Sequence, residues 1–382
     1  FDRVIVSVLL GPIRTEFELN DTMLGSVASA FTLLFAVMAL PMGQVADSKS
    51  RKGLLAGGVG LWSLFTAGSG LATSFPLFFA ARMGVGVGEA TCTPAATSLI
   101  GDMVPLRMRA MVFGLFMLGF PLGTFSALML GGQIAAAYGW RTAFFVAAAP
   151  GMLAVLLLLF CKEPPRGAQD SALVDQRVAR PIWTLLSSPL LWSINFVAIA
   201  LNISAYAMGT FLPSFFGRIH HLDVSGAGLH SAIVLGASGV IGLTLGGWIA
   251  DKVAIGRAHG RALLGLICCL LAAPLVYFGL NSSDLNIATA SMAAGWTFYF
   301  VYFVTALSAI VDQFDSRLRG RAIGLFVFCG SAIGGTVGAV LAGILSDVFA
   351  KSAIANGAAE AAAQAAGLQQ SLTILVPGGL VL

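Results

Sequence analysis

The stretch Arg82-Met-Gly-Val-Gly-Val-Gly-Glu89-Ala90 sets how the rest of this chain is interpreted. It lies within an apolar run from about 75 to 100, long enough to cross a bilayer as a helix. Charges at membrane depth are expensive, so an Arg and a Glu in one spanning segment indicate a functional site. The helical repeat predicts one face shared by Arg82, Gly86, Glu89 and Thr93. We expect that face to border the protein interior or a wet cavity.

The composition excludes a soluble globular protein. Hydrophobic residues make up 58% of the 382 residues and charged residues only 10%, which is typical of a membrane protein with many spans. The five cysteines lack the spacing of a metal site or a disulfide framework, so we expect free thiols. The chain opens with Phe1 and shows no cleavable signal peptide, so we expect that the natural N-terminus lies further upstream.

Successive apolar runs predict an all-α membrane protein with twelve transmembrane helices in two pseudo-symmetric six-helix bundles. The expected bundles are 1–161 and 189–382, joined by a cytoplasmic linker at 162–188. The Ala-rich stretch from Ala350 to Gly367 is expected to be an external loop or a short helix. The predicted helices run to about 16, then over 22–46, 53–73, 75–101, 110–137, 141–161, 189–216, 226–250, 261–280, 285–311, 321–349 and 369 to the end.

The basic residues predict the orientation in the membrane. Most of the 21 Lys and Arg residues fall in the connections that follow even-numbered helices. Loops rich in Lys and Arg stay on the cytoplasmic side. We therefore expect both termini to be cytoplasmic, in a plasma membrane or a bacterial inner membrane.

An internal repeat supports two related halves. Asp102, Arg107 and Arg109 are matched in the second half by Asp312, Arg317 and Arg319. Gly43 and Asp47 are matched in the same way by Gly247 and Asp251. Parallel repeats of six helices are a transporter architecture in which the substrate site lies between the halves, near the middle of the membrane.

The residues also carry a family resemblance. The segment Gly43-Gln-Val-Ala-Asp47-Ser-Lys-Ser-Arg51-Lys52 resembles a signature of the major facilitator superfamily, and Arg82 to Ala90 resembles its helix-four signature. Asp2-Arg3, the Gly-Val-Gly-Glu-Ala ending and Glu163-Pro-Pro-Arg-Gly are similar to the Spinster branch. This resemblance implies export of lysophospholipids or sphingoid phosphates. Ser48 departs from the signature, where an Arg or Lys is usual.

Four charged residues at membrane depth form the predicted coupling site: Asp2, Arg3, Arg82 and Glu89. Arginine does not usefully release its proton, so the carboxylates are the expected titrating groups. A carboxylate that loses its Arg partner as the cavity changes state would take up a proton. The alternative is a permanent ion pair that holds the bundle together.

Aromatic and amide side chains in the second half predict a wall of the substrate cavity. Their three, four and seven spacing places them on single faces of helices seven and ten, and such a wall suits an amphiphile with a hydrocarbon tail. Ordinary helix packing is the alternative. The predicted substrate-binding residues are Thr93, Asn195, Asn202, Tyr206, Trp296, Tyr299 and Phe303.

The repeated Gly-x-x-x-Asp spacing predicts a cytoplasmic gate. Asp47 is expected to face the start of helix eleven, and Asp251 the start of helix five. Such pairs would close the cytoplasmic side when the cavity opens outward. The alternative is that these charges only orient the chain. The predicted gate residues are Asp47, Arg51, Arg109, Asp251 and Arg319.

These features favour a monomeric, proton-coupled secondary transporter that exports a lysolipid-like amphiphile by alternating access. No nucleophile with an adjacent base can be assembled from the intramembrane residues, which argues against an enzyme. We expect no cofactor, no metal and no nucleic-acid partner. Two alternatives remain: a proton-coupled carrier of small organic anions, and a lipid scramblase or non-transporting receptor on the same scaffold.

Overall fold

A computed structural model describes residues 1–165, 187, 189–254, 260–313, 325, 326 and 328–381. Several side chains within these ranges, among them those of Asp47, Arg107, Arg109 and Asp251, fall outside the description. The described part of the chain folds into twelve helical units, here α1 to α12. The predicted all-α, twelve-helix class is confirmed, and eight stretches in the described residues are long and apolar enough to cross a membrane.

The first half contains α1 to α6. Short turns join these helices, and polar side chains cap two of the starts: Asn20 Oδ1 accepts from Met23 N, and Ser50 Oγ accepts from Gly53 N. The units are α1 Ile5–Phe17, α2 Asp21–Ser48, α3 Arg51–Gly70, α4 in two segments Phe75–Glu89 and Cys92–Met103, α5 Leu106–Tyr138 and α6 Trp140–Phe160.

The second half contains α7 to α12. Two of its units contain π-helical turns, at Ala232–Ala237 and at Cys329–Gly335. The units are α7 Pro189–Ile219, α8 Val224–Ser231 continued after its π turn by Ser238–Ala254, α9 Gly260–Leu280, α10 Leu285–Gln313, α11 as Cys329–Gly335 followed by Thr336–Ala355, and α12 Glu360–Val381.

The structure departs from the predicted helices at two places. The predicted helix over 75–101 is broken directly after Glu89, because Pro94 has no N–H for the Ala90 carbonyl and its ring crowds that carbonyl. The stretch 350–367, between the predicted helices 321–349 and 369 to the end, was expected to be an external loop or a short helix. Instead, α11 continues to Ala355 and α12 already begins at Glu360, since alanine is the strongest helix former.

The halves meet mainly along two helix pairs, α2 with α11 and α5 with α8, and α1 also contacts α7. Glycines allow the backbones to touch: a Cβ atom at Gly25 in α2 would overlap the carbonyl oxygen of Ala339 in α11. A Cβ atom at Gly132 in α5 would lie 2.7 Å from the carbonyl oxygen of Val224 in α8. Such small-residue contacts are typical of helix packing in membranes. We name the end with the α1–α2, α7–α8 and α11–α12 turns the odd-connection end, and the opposite one the even-connection end.

Candidate functional site between the halves

Arg3, just before α1, reaches from the first half to the second. Its Nη2 atom donates a hydrogen bond to the hydroxyl group of Tyr206 in α7. Its guanidinium carbon lies 5.2 Å from the ring centroids of both Phe31 and Phe35, and 5.4 Å from that of Tyr206. These distances are in the range of cation–π attraction. Three aromatic rings and a hydroxyl group therefore surround this cation.

Arg82 is the deeper cation, only 2% exposed. Its Nη2 atom donates to the backbone oxygen of Asp2 at 3.0 Å, and its guanidinium carbon lies 5.7 Å from the Phe31 ring and 5.9 Å from the Phe144 ring. Its Nη1 atom finds no hydrogen-bond partner among the described residues. A buried charged donor without a partner is costly, which points to a group that arrives from outside the chain.

The two carboxylates lie near these cations without pairing with them. Asp2 is buried and Glu89 half-buried. Among the described residues, neither carboxylate comes within ion-pair distance of Arg3 or Arg82. The structure thus brings the four predicted coupling residues to one region, but it joins α1 to α4 through a backbone carbonyl. Whether the carboxylates titrate during transport stays a prediction.

The predicted amide and hydroxyl residues of α7 lie along the π-helical turn of α11. Asn195 is fully buried, and its Nδ2 atom donates to the Leu191 oxygen at 2.8 Å. Asn202 makes the same bond to Ala198, and its side chain packs on Gly330 and Gly334. The Asn195 Oδ1 atom has no partner in the described residues. The Asn195 Oδ1 atom is therefore an unused hydrogen-bond acceptor on the face of α7 that also carries Tyr206.

The predicted aromatic residues of α10 are partly used by the core. Trp296 and Tyr299 are 3% and 7% exposed, and their rings stack at a centroid distance of 4.9 Å. Phe303 is half-buried and contacts Phe326, 6.4 Å between centroids. Thr93 is exposed and lies beyond the break in α4. The α10 rings thus form a wall within the second half, whereas Thr93 stands apart from them.

Of the five predicted gate residues, Arg51 is the one whose side chain the structure describes. It is 1% exposed and pairs with Asp102 of α4 and with Glu163, which follows α6. Its Nη2 atom also donates to the Pro164 oxygen at 2.8 Å. These contacts join α3 to α4 and to the first residues of the linker that follows α6. The side chains of Asp47, Arg109 and Asp251, and the whole of Arg319, lie outside the described residues.

The odd-connection end holds a cluster that the sequence analysis missed. Asp21, 2% exposed at the start of α2, accepts two hydrogen bonds of 2.7 Å from Arg218 at the end of α7. Ser346 of α11 donates to the same carboxylate at 2.7 Å. Asp21 and Arg218 look like ordinary loop charges in the sequence, and the one available signal was their position at the ends of apolar runs.

Two different walls therefore face each other inside the bundle. The first half contributes the cations Arg3 and Arg82 with two nearby carboxylates, and the second half contributes aromatic rings and amides. Guanidinium groups without a carboxylate partner can bind a carboxylate or a phosphate, often with two parallel hydrogen bonds. Aromatic rings offer apolar area to a hydrocarbon chain. The arrangement is chemically suited to a molecule with an anionic head and an apolar body.

Comparisons with known proteins agree on the type of protein. The family model for the Major Facilitator Superfamily matches residues 1–339. A cis,cis-muconate transport protein of Acinetobacter baylyi is 28% identical, over 85% of this chain and 78% of the relative. Protein spinster homolog 1 of Xenopus tropicalis is 27% identical over 78% of this chain, but this match spans only 60% of the relative's length.

A solved structure is similar over the whole chain. It is described as a bacterial homolog of the human lysosomal transporter Spinster in an inward-facing, unoccupied conformation. The TM-score is 0.91 at 26% identity, and the match covers 100% of this chain and 91% of the other. The described helices therefore follow the arrangement of helices in that solved transporter.

Proposed function

Since the chain belongs to the Major Facilitator Superfamily and, within it, to the Spinster family, we propose that it exports lysophospholipid-like or sphingoid-phosphate-like amphiphiles by alternating access. It is an integral membrane protein with many spans. In this proposal it acts as a proton-coupled monomer without a cofactor. The even-connection end and both termini are cytoplasmic, and the six-helix units 1–161 and 189–382 move about a substrate that lies between them.

The observation that carries the proposal is the pair of guanidinium groups without carboxylate partners. Arg3 is held only by aromatic rings and Tyr206 Oη, and Arg82 has a free Nη1 atom, within the described part of the chain. An anionic headgroup that replaces Tyr206 at Arg3 would gain charge-assisted hydrogen bonds in place of a neutral one. In this proposal the apolar tail extends from the headgroup towards the stacked rings of Trp296 and Tyr299.

The same geometry supports the proposed coupling to protons. A headgroup bound to Arg3 or Arg82 reduces the positive charge next to Asp2 and Glu89. A carboxylate near fewer cations binds a proton more readily. Substrate and proton would therefore influence each other's binding through the two arginines. Asp47, Asp251, Arg109 and Arg319 remain the proposed gate at the cytoplasmic end, and Arg51 supports that end from within the first half.

Thermal unfolding of the purified protein with candidate substrates tests the proposed substrate class. A ligand that binds only the native state raises the apparent melting temperature. Lysophospholipids should raise it, whereas sugars and dicarboxylates at the same concentration should not. With Trp296→Ala, long-chain lysolipids should lose more of their effect than short-chain ones, because longer tails bury more apolar area. Equal effects of all compounds would contradict the proposal.

Transport in proteoliposomes with and without a pH gradient tests the coupling. The parent should respond to the gradient, whereas Glu89→Gln and Asp2→Asn should still bind lysolipid but lose that response. Binding is checked by the same thermal shift, so that a misfolded variant is recognised. A variant with full gradient-driven transport would remove its residue from the coupling site.

The second candidate function is proton-coupled transport of small organic anions. The free Nη1 atom of Arg82 can equally bind a carboxylate. The matched protein from Acinetobacter baylyi is a muconate transport protein. Stabilisation by muconate and by other dicarboxylates, without stabilisation by lysolipids, would favour this candidate.

A further inference from the structure

The ion cluster at the odd-connection end connects both halves. Arg14 of α1 and Asp21 of α2 belong to the first half, and Arg218 of α7 and Asp347 of α11 belong to the second. Arg218 binds both carboxylate oxygens of Asp21, while Arg14 lies 3.6 Å from one of them. Two positive and two negative side chains therefore balance one another where four helices of two different bundles meet.

Asp347 ties the start of α2 to α11 in a second way. Its carboxylate accepts from the backbone N–H groups of Asp21 at 3.1 Å and of Thr22 at 2.8 Å, and from the Thr22 hydroxyl group. The first N–H groups of a helix have no partner inside that helix, and they carry a partial positive charge. The second half thus adds to the cap that Asn20 gives this helix of the first half, and the Asp347 contribution is lost when the halves separate.

A backbone contact layer lies directly beneath these ions. A Cβ atom at Gly343 would overlap the Asp21 carbonyl oxygen, as one at Gly25 would overlap that of Ala339. One turn below Gly25, the Ser29 hydroxyl group donates to Thr336 O at 2.6 Å and accepts from Val340 N at 3.1 Å. The backbones of α2 and α11 are therefore in direct contact beneath the ion pairs.

We propose that Asp21, Arg218 and Asp347 form the gate that closes the odd-connection end, and that breaking it is the step that opens the cavity on that side. The gate residues are separate from the cytoplasmic-gate residues and from the coupling site. Thr32 lies eleven residues beyond Asp21 on α2, roughly 16 Å deeper along the helix axis, and is 1% exposed. Opening the gate would therefore be the event that exposes Thr32. The inference rests on alternating access in the proposed function.

The test measures how fast a thiol below the gate becomes accessible. Thr32→Cys is introduced, and sealed vesicles receive a membrane-impermeant maleimide on the side of the odd-connection end. Labelling at position 32 is quantified by peptide mass spectrometry, which separates it from the native cysteines. Adding Asp21→Asn or Arg218→Gln should raise the labelling rate at least about ten-fold, because loss of one partner from a buried ion pair favours the separated state. Arg218→Lys keeps the positive charge but cannot make the two parallel hydrogen bonds of the guanidinium group, so its labelling rate should be intermediate.

The matched control is the Glu16–Arg141 pair. It lies at the same end, also with two hydrogen bonds of 2.6 Å, but it stays within the first half and is 40% and 38% exposed. Glu16→Gln should leave labelling unchanged. Folding of the Asp21→Asn variant is checked by gel filtration. If this variant folds but is labelled as slowly as Glu16→Gln, the proposed gate is wrong. No substrate is added, so the labelling result does not depend on which molecule is transported. If labelling changes as expected but the protein transports no lysolipid, the proposed function is rejected and the gate is kept.

Discussion

Two buried arginine clusters lie at opposite ends of this protein, and they differ in what they connect. Arg218 binds Asp21 across the two halves, whereas Arg51 binds Asp102 in its own half and Glu163 at the start of the linker. Similar chemistry therefore serves different purposes. An ion pair inside a rigid unit contributes to the stability of that unit in every state, but a pair between units contributes only to the state in which they touch.

Removing Arg51 should have the largest effect on stability. With Arg51→Gln, two carboxylates and the Pro164 oxygen lose their buried partner, and such losses cost about 3 kcal/mol. The apparent melting temperature in detergent should fall clearly. Labelling of Thr32→Cys from the odd-connection side should not change, because the cluster does not cross the halves.

Arg141→Gln is the control for this first prediction, since its ion pair is largely exposed and should contribute about 1 kcal/mol or less. If Arg51→Gln instead changed the labelling rate and left the melting temperature alone, Arg51 would act between states, and the distinction drawn between the two clusters would fail.

Gly25→Ala should change the balance of states with a smaller effect. The added methyl group would meet the Ala339 carbonyl oxygen, while the same change at Gly43 on the same helix meets nothing within 4 Å. Both substitutions gain the same helix propensity, so their difference isolates the interface. We expect Gly25→Ala to raise labelling of Thr32→Cys about ten-fold over Gly43→Ala, equivalent to about 1.4 kcal/mol. Equal rates would show that the close contact does not hold the halves together.

The smallest expected effect is the loss of stability at low pH that depends on Glu163. Hydrogen bonds from the Ser50 hydroxyl group and from the Arg51 N–H group lower the pKa of Glu163 below its ordinary value. The resulting stability is present above the unfolded pKa of about 4.3 and is lost as pH falls through the lower folded pKa. Between about pH 5 and pH 3 the parent should lose up to about 1 kcal/mol more than Glu163→Gln. Parallel melting curves of the two proteins against pH would contradict this.

The helices could be predicted because their cause is local. Apolar runs of sufficient length can cross a membrane only as helices, since every backbone group must be satisfied. The break in α4 also has a local signal, because Pro94 follows the Gly-rich stretch, but the hydropathy of the run does not reveal it. The π turns of α8 and α11 have no such signal. They depend on contacts with distant helices, as Gly236 shows by its close approach to Phe125 in α5.

The site could be predicted only where charge and depth coincide in one segment. Arg3, Arg82 and Glu89 stood out because charges are rare in apolar runs. Asp21 and Arg218 did not, because each lies at a helix end, where a charge is unremarkable until the fold brings residues 197 positions apart into contact. Arg51 was expected at a gate between the halves. Of its described partners, Asp102 belongs to its own half and Glu163 to the start of the linker, and neither belongs to the second half.

The hydroxyl group of Ser29 makes the contact between α2 and α11 reversible at low cost. It bonds Thr336 O and Val340 N, the carbonyl and the amide that an α-helix pairs with each other. Both groups lie in the α-helical part of α11, so they keep each other as helical partners when the helices separate. Ser29 can bond back to the Gly25 carbonyl one turn earlier. Every polar group in the contact thus has a substitute partner on its own helix. In the proposed transport cycle this seam opens and closes repeatedly without water to solvate stranded groups, and such an interface can be remade many times.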